Sequence, residues 1–318
     1  MSHASRRAFL RSSARCAAFL PFAAGAERVA ALCQQQQPAP TVAQRRAAIG
    51  KSPIVATRLT DTLTMLSGPG GNVVVLDGAD GKVVVDTFVT PAWTALKDAL
   101  GRIGTAPVKA VLDTHWHFDH SDNNDGFRRE GAVVLAHANT AKRLSETHIV
   151  MGMEMTPVAK EVLPTKTFTT RHVIDVSGEQ IEAAAIPPAH TDTDIYVHFT
   201  KGNVLHLGDV YFNGGYPFID TSTGGNIDGQ IAGATLGLKI GDSATRVVPG
   251  HGPISDKGAL AKYRDMLETV RNRVQKLKAS GRTIDEAIAE RPTADLDATW
   301  GSFLTPAAFI RTVFETVK

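Results

Sequence analysis

The chain has 318 residues, of which 43% are hydrophobic, and a formal net charge of +2. That length and apolar content can bury one large core or two small ones. A near-neutral charge without a basic patch speaks against a nucleic-acid partner, and only two cysteines, Cys16 and Cys33, are available for cross-linking.

The first 26 residues read as a targeting segment. Ser5-Arg6-Arg7-Ala8-Phe9-Leu10 looks like a twin-arginine export signal, Arg11 and Arg15 extend its positive region, and Cys16 to Ala26 form a short apolar run. Ala24-Gly25-Ala26 fits a small-residue cleavage site. The apolar run is too short to span a membrane. Cleavage would remove four arginines and no acids, leaving the mature chain at about −2. It would also remove Cys16, so no internal disulfide is expected even in an oxidising compartment. Leu32 stands before Cys33 where a lipidation site wants a small residue, so no stable membrane anchor is expected. The reading is therefore an exported, periplasmic protein. Its signal peptide covers residues 1–26, a flexible leader with the low-complexity run Gln34 to Pro40 covers 27–53, and one domain covers 54–318.

From Thr62 the pattern is β-rich. Thr62 to Leu66, Asn72 to Leu76 and Lys82 to Val85 are short apolar runs separated by the turn stretches Gly68-Pro69-Gly70-Gly71 and Asp77 to Gly81. A helix is expected over Pro91 to Ile103, then a buried strand at Val108 to Leu112, a strand at Val133 to Ala136 and a helix near Thr140 to Ser145. A second β-rich half covers about Phe168 to Leu207, followed by a helix near Ile227 to Leu238 and a strand at Arg246 to Val248. Leu260, Tyr263, Leu267, Val270, Val274 and Leu277 recur at helical spacing over Lys257 to Leu277, with Ser255 placed to cap the start. Thr283 with Glu286 resembles a capping box, and Ala307 to Val317 offers a last helix. Met151, Met153 and Met155 fall in one short segment that reads as a lid or pocket wall, or else as a buried loop or a dimer contact.

The most informative run is His115-Trp116-His117-Phe118-Asp119-His120. Four metal-competent side chains leave the end of a strand on one turn, which can splay them toward two points. Imidazole nitrogen and carboxylate oxygen suit zinc. A solvated histidine-rich turn would cluster these groups without a partner. Of the other histidines, His198, His206, His172 and His148 read as ordinary residues, and His137 is the best remaining candidate for a supporting role.

This run resembles the signature of the metallo-β-lactamase superfamily of metallo-hydrolases. The resemblance extends from about Ile54 to about Ile254 and implies an α/β fold, a four-layer αββα sandwich with extra C-terminal helices here. It implies that His115, His117 and His190 hold one metal, that Asp119, His120 and His251 hold a second, and that Asp209 bridges them. The motifs Pro188-Ala189-His190-Thr191, Leu207-Gly208-Asp209 and Pro249-Gly250-His251-Gly252 carry the later ligands in the family's order. Asp86, ending the run Lys82 to Asp86, resembles the buried acid that supports the metal loop from behind.

The implied cofactor is two Zn2+, with iron or manganese as alternatives. The implied chemistry is attack by a metal-bridging hydroxide on an ester, thioester, lactone, amide or phosphodiester of a small-molecule substrate, with Asp119 orienting the nucleophile. Zinc β-lactamases usually lack an acid at the position of Asp209, so lactam hydrolysis is expected to be weak. The ligand set is closer to the glyoxalase II, lactonase and phosphodiesterase branches, although no basic C-terminal glutathione site can be mapped. Tyr216 to Asp220 and Gly224 to Gly229 resemble exported bacterial members. Persulfide dioxygenases share the fold with a single iron, and non-catalytic members exist but generally lose ligands. Tyr211, two residues beyond Asp209 in an aromatic-rich loop, is expected to face the metals and donate a hydrogen bond to a developing anion.

Overall fold

The computed structural model describes residues 40–318; the expected signal peptide and residues 27–39 of the leader lie outside them. Two mixed sheets form the centre. The first has seven strands, β1 (Val55–Arg58), β2 (Leu63–Ser67), β3 (Asn72–Gly78), β4 (Gly81–Val85), β5 (Val108–Leu112), β6 (Val133–His137) and, after the hairpin β7 (His148–Val150) and β8 (Met153–Met155), β9 (Lys166–Phe168). The second has six, β10 (Arg171–Val176), β11 (Glu179–Ala185), β12 (Ile195–Phe199), β13 (Val204–His206), β14 (Arg246–Val248) and β15 (Ser255–Asp256), in that order.

The apolar runs are continuous rather than alternating because the central strands bury both faces. Val74, Leu76, Val83, Val85 and Leu112 face the second sheet, where they meet Ile181, Val197, Phe199 and Val204. Their neighbours Val73, Val75, Val84 and Val111 point the other way, onto a core shared with Leu96 and Leu100 of the helix Trp93–Ile103. The outer face of the second sheet packs Leu205, Leu207 and Val247 against the helices Ile227–Lys239, Lys257–Ala279 and Pro306–Thr316. These three parallel cores make the expected αββα sandwich, and the C-terminal helices belong to its outer layer.

Two local expectations are corrected. The domain begins before residue 54, because the helix Val42–Ile49 belongs to it. A Thr41–Gln44 capping box starts this helix, Val42 is buried, and Arg46 donates two 2.6 Å hydrogen bonds to Asp122. Asp256, not Ser255, caps the long helix, accepting from Ala259 N at 2.8 Å; Ser255 is held in β15 against Val247. The methionine segment is the β7–β8 hairpin, and the buried reading holds for Met153 and Met155, which lie in the core, while Met151 is exposed at the turn. Among the described residues, no helix is long and apolar enough to cross a membrane.

The loops leaving the C-terminal ends of β4, β5, β11, β13 and β14 all open on one edge of the sandwich, where loop residues from several strands can converge. Backbone bonds lock the two halves together there. Asn72 N donates to Gly250 O at 2.7 Å, and Ile195 N donates to Thr114 O at 2.9 Å.

Candidate metal centre

All seven expected ligands meet at this edge. His115, His117, His190 and Asp209 form one group of convergent ligand atoms, and Asp119, His120 and His251 form a second. His117 Nδ1 lies 3.1 Å from His115 Nε2 and 2.9 Å from His190 Nε2. A cation with 2.0–2.1 Å bonds in a tetrahedral site separates its ligands by about 3.3 Å. Asp209 lies between the groups. Its Oδ1 is 3.2 Å from His120 Nε2, and its Oδ2 is 3.4 Å from His251 Nε2 and 3.6 Å from His190 Nε2. Asp119 Oδ2 is 3.5 Å from His251 Nε2.

The outward-facing ring nitrogens assign the inward ones. His120 Nδ1 donates to Asp86 Oδ2 at 2.7 Å, His190 Nδ1 to Phe218 O at 2.8 Å, and His117 Nε2 to Asp220 Oδ2 at 3.2 Å. Thr114 Oγ1 donates to Asp86 Oδ2 at 2.9 Å and can therefore accept from His115 Nδ1 at 3.1 Å. With those protons placed, three imidazole lone pairs point at one another across about 3 Å, an arrangement that only a cation or an added proton relieves. His120 Nε2 and Asp209 Oδ1 face each other yet neither has a hydrogen-bond partner. These residues fit a pair of divalent cations.

The electrostatics agree. Burial holds His115 well below its usual range and brings His190 down to about 4, so both rings are neutral and ready to ligate. Burial would also depress His251 and His120. At His251 the Asp209 and Asp119 carboxylates outweigh it and lift the group to about 9; at His120 the carboxylates of Asp209, Asp86 and Asp119 do the same. Positive charge is thus demanded at the second group, and a bound cation would meet that demand in place of protons.

Local backbone makes the convergence possible. Asp86 sits at φ 65° and Phe88 at φ 60°, the left-handed region that a bulky residue rarely occupies. Asn123 Nδ2 donates to Thr87 O at 2.6 Å and Val89 O at 3.0 Å, tying this turn to the metal loop. A Cβ at Gly250 would land on Asp209 Oδ1, so only glycine lets the His251 loop pass behind that carboxylate.

The metallo-β-lactamase superfamily model matches residues 66–251, more than half of the chain. The chain belongs to the metallo-β-lactamase superfamily. Among solved structures it is similar to a metallo-β-lactamase from Pontibacter korlensis, with 19% identity, TM-score 0.57, and 68% of this chain and 99% of that one covered. It is also similar to the stereoselective inverting sec-alkylsulfatase Pisa1 from Pseudomonas sp., with 17% identity, TM-score 0.64, and 89% and 53% covered. At these identities the likeness is one of fold. A curated relative, the 2,4-dinitroanisole O-demethylase subunit alpha of Nocardioides sp. (strain JS1661), is 25% identical over 146 residues, 44% of this chain; the match spans only 40% of that relative's length.

Within this superfamily member, sequence reasoning missed three supports. Asp220 anchors His117 and also accepts from Ser222 Oγ and Thr223 Oγ1, each at 2.6 Å. Although burial pushes the other way, His117 beside it and these hydroxyls hold its carboxyl well below the usual range. Asp194 accepts from the backbone N–H of His190 at 2.8 Å and of Thr191 at 3.0 Å, fixing the turn that presents His190; burial pushes its carboxyl up to about 7. Thr114 relays Asp86 to His115. His137, weighed as a support, touches no ligand; it caps the helix Ala138–Leu144 and donates to Thr169 O.

Tyr211 is a correction. The backbone is extended there, so successive side chains point to opposite sides. Phe212 stacks on His251, with ring centroids 5.3 Å apart, while Tyr211 turns inward, fully buried against Tyr263 at 5.1 Å. Its hydroxyl lies near Ser255 without a formed hydrogen bond. Of the aromatics in the loop after Asp209, Phe212 and Phe218 face the histidines, the latter 5.8 Å from His190.

Proposed function

We propose that this protein is an exported dinuclear zinc hydrolase acting on an ester, thioester, lactone, amide or phosphodiester bond of a small molecule. The observation that carries the reading is the place of Asp209 between the halves of a seven-residue ligand set: its Oδ1 faces His120 at 3.2 Å, and its Oδ2 stands between His251 at 3.4 Å and His190 at 3.6 Å. Two divalent cations held there would supply a water acidified toward neutrality and a Lewis acid for the substrate oxygen. The chain's own part follows from position. Asp119 is the ligand-group carboxylate with most exposure, so it can reach substrate, hold the attacking water by one hydrogen bond, take its proton and return it to the leaving group. Asp86, Asp220 and Phe218 O keep His120, His117 and His190 in the tautomers that ligate.

The relatives widen the bond types worth testing. One is named for demethylating an aryl methyl ether and another for cleaving secondary alkyl sulfates; both reactions release an alcohol or phenol, as ester and lactone hydrolysis does. The deciding experiment combines metal analysis of protein purified without added metal with a panel of lactones, thioesters, phosphodiesters, sulfate esters, aryl methyl ethers and β-lactams, with and without chelator. About two zinc per chain and chelator-sensitive turnover are expected. One iron with oxygen consumption would replace the reading by a dioxygenase, and no turnover anywhere would leave a metal-binding protein. Export through the twin-arginine route belongs to the same proposal: replacing Arg6 and Arg7 by lysine should strand the precursor in the cytoplasm, and normal export of that variant would sink it.

A further inference from the structure

We infer that the C-terminal helices complete the site by building a subsite for a neutral aromatic group of the substrate, with Phe303 as its outer wall. The inference rests on the hydrolase reading only for the word substrate; the subsite itself stands on the following geometry.

Phe303 lies between the helices Asp297–Trp300 and Pro306–Thr316, far in sequence from every ligand. Among the described residues it is the one exposed aromatic, at 47%. Its ring centroid is 5.5 Å from that of His251 and 5.0 Å from that of Phe212. These three rings and Asn213, Gly214 and Ser302 line a cleft of about 210 Å³ that opens beside a metal ligand. An apolar cavity of about 150 Å³ is enough to take benzene.

The placement is enforced. Ser302 Oγ donates to Gly214 O at 2.7 Å, Tyr216 N donates to Trp300 O at 2.6 Å, and Tyr216 Oη donates to Asp297 Oδ1 at 3.0 Å. Behind them Phe309, Ile310 and Val313 are buried in the core of the second sheet. Gly215 has no side chain where a Cβ would stand 2.8 Å from Phe303 Cβ, so the two segments close without a gap. The rest of the C-terminal region is anchored, yet this one large ring is left in water over a ligand. An exposed aromatic at the mouth of a polar site fits a contact made by a ligand better than a packing residue does. No lysine or arginine lines the cleft, so away from His251 it presents no cationic side chain to pair with an anionic group, and its ring-lined wall suits a neutral ring.

The test uses 2-naphthalenemethanol as a neutral aromatic probe, titrated calorimetrically into zinc-loaded protein, with cyclohexylmethanol as the non-aromatic control. Phe303→Ala should weaken probe binding about five-fold, the range of one aromatic pair, and Phe303→Leu by less. Gly215→Ala keeps the ring but drives it off its seat, and should weaken the probe similarly. Thermal unfolding of each variant reports whether the fold is intact. Equal probe affinity in wild type and Phe303→Ala, or a preference for the cyclohexyl control, would overturn the subsite. Phe303-dependent binding in a protein that hydrolyses nothing would leave the subsite standing and remove only the hydrolase reading. Turnover with Phe303-independent binding would do the reverse.

Discussion

Asp86 Oδ2 accepts a 2.7 Å hydrogen bond from His120 Nδ1, and through Thr114 the same carboxylate steadies His115, so one buried acid supports a ligand in each metal group. Its Oδ1 is also occupied, by Thr114 N at 2.7 Å. An amide cannot replace it, because the NH2 of asparagine would face donors. Asp86→Asn should therefore weaken metal binding on the order of 10- to 100-fold, the usual cost of losing such a support. The loss should be largest at the group containing His120. Zinc competition against a chromogenic chelator measures it; unchanged stepwise affinities would show that Asp86 serves only the strained turn at φ 65°.

Asp119 offers a different separation. It belongs to the second ligand group and not to the one formed by His115, His117, His190 and Asp209. Asp119→Asn should leave the first metal bound and lower turnover by roughly 10²-fold or more, since both a candidate ligand and a proton carrier are lost. Stoichiometry and kcat on the best substrate of the panel check this. Loss of both metals together would mean that the two groups are one cooperative site.

That these seven side chains cluster was legible from the His115–His120 run at a strand end and, for His190, Asp209 and His251, from motifs in the order the family resemblance implies. The strands were legible from apolar runs such as Val73 to Leu76, but not that such runs bury both faces and so divide the interior into three cores. Asp220 was not, because acids in hydroxyl-rich turns are common and its partner His117 is 103 residues away. Phe303 was not, because only the packing of the last helices brings it to His251. Tyr211 was misread from its closeness in sequence to Asp209; alternation along an extended segment would have chosen Phe212.

The corrected place of Tyr211 makes its own prediction. Its hydroxyl is buried without a hydrogen-bond partner, so removing it forfeits no interaction and relieves a desolvated group. Tyr211→Phe should keep turnover within about two-fold and change stability by less than about 0.5 kcal/mol in either direction. Denaturant titration and kinetics on one substrate suffice. A large fall in kcat with metal content intact would restore the catalytic role that the sequence suggested.

The helix Val42–Ile49 ties the start of the domain to the back of the metal loop, since Asp122 lies two residues beyond His120 and accepts both Arg46 bonds. Asp122 is 7% exposed, and burial raises its carboxyl even against the Arg46 and Thr90 donors that stabilise the charge. Arg46→Leu would leave that carboxylate with Thr90 N as its remaining donor at 3.2 Å. A loss of about 2 kcal/mol is expected, the scale of hydrogen bonds to a charged group, tempered because Arg46 is partly in solvent. Asp122→Asn in the Arg46→Leu background should recover part of it, because the buried charge is then gone. Urea unfolding of the single and double variants decides the point: additive losses would mean that the pair is not coupled, and that the helix is held by Val42 and its neighbours alone.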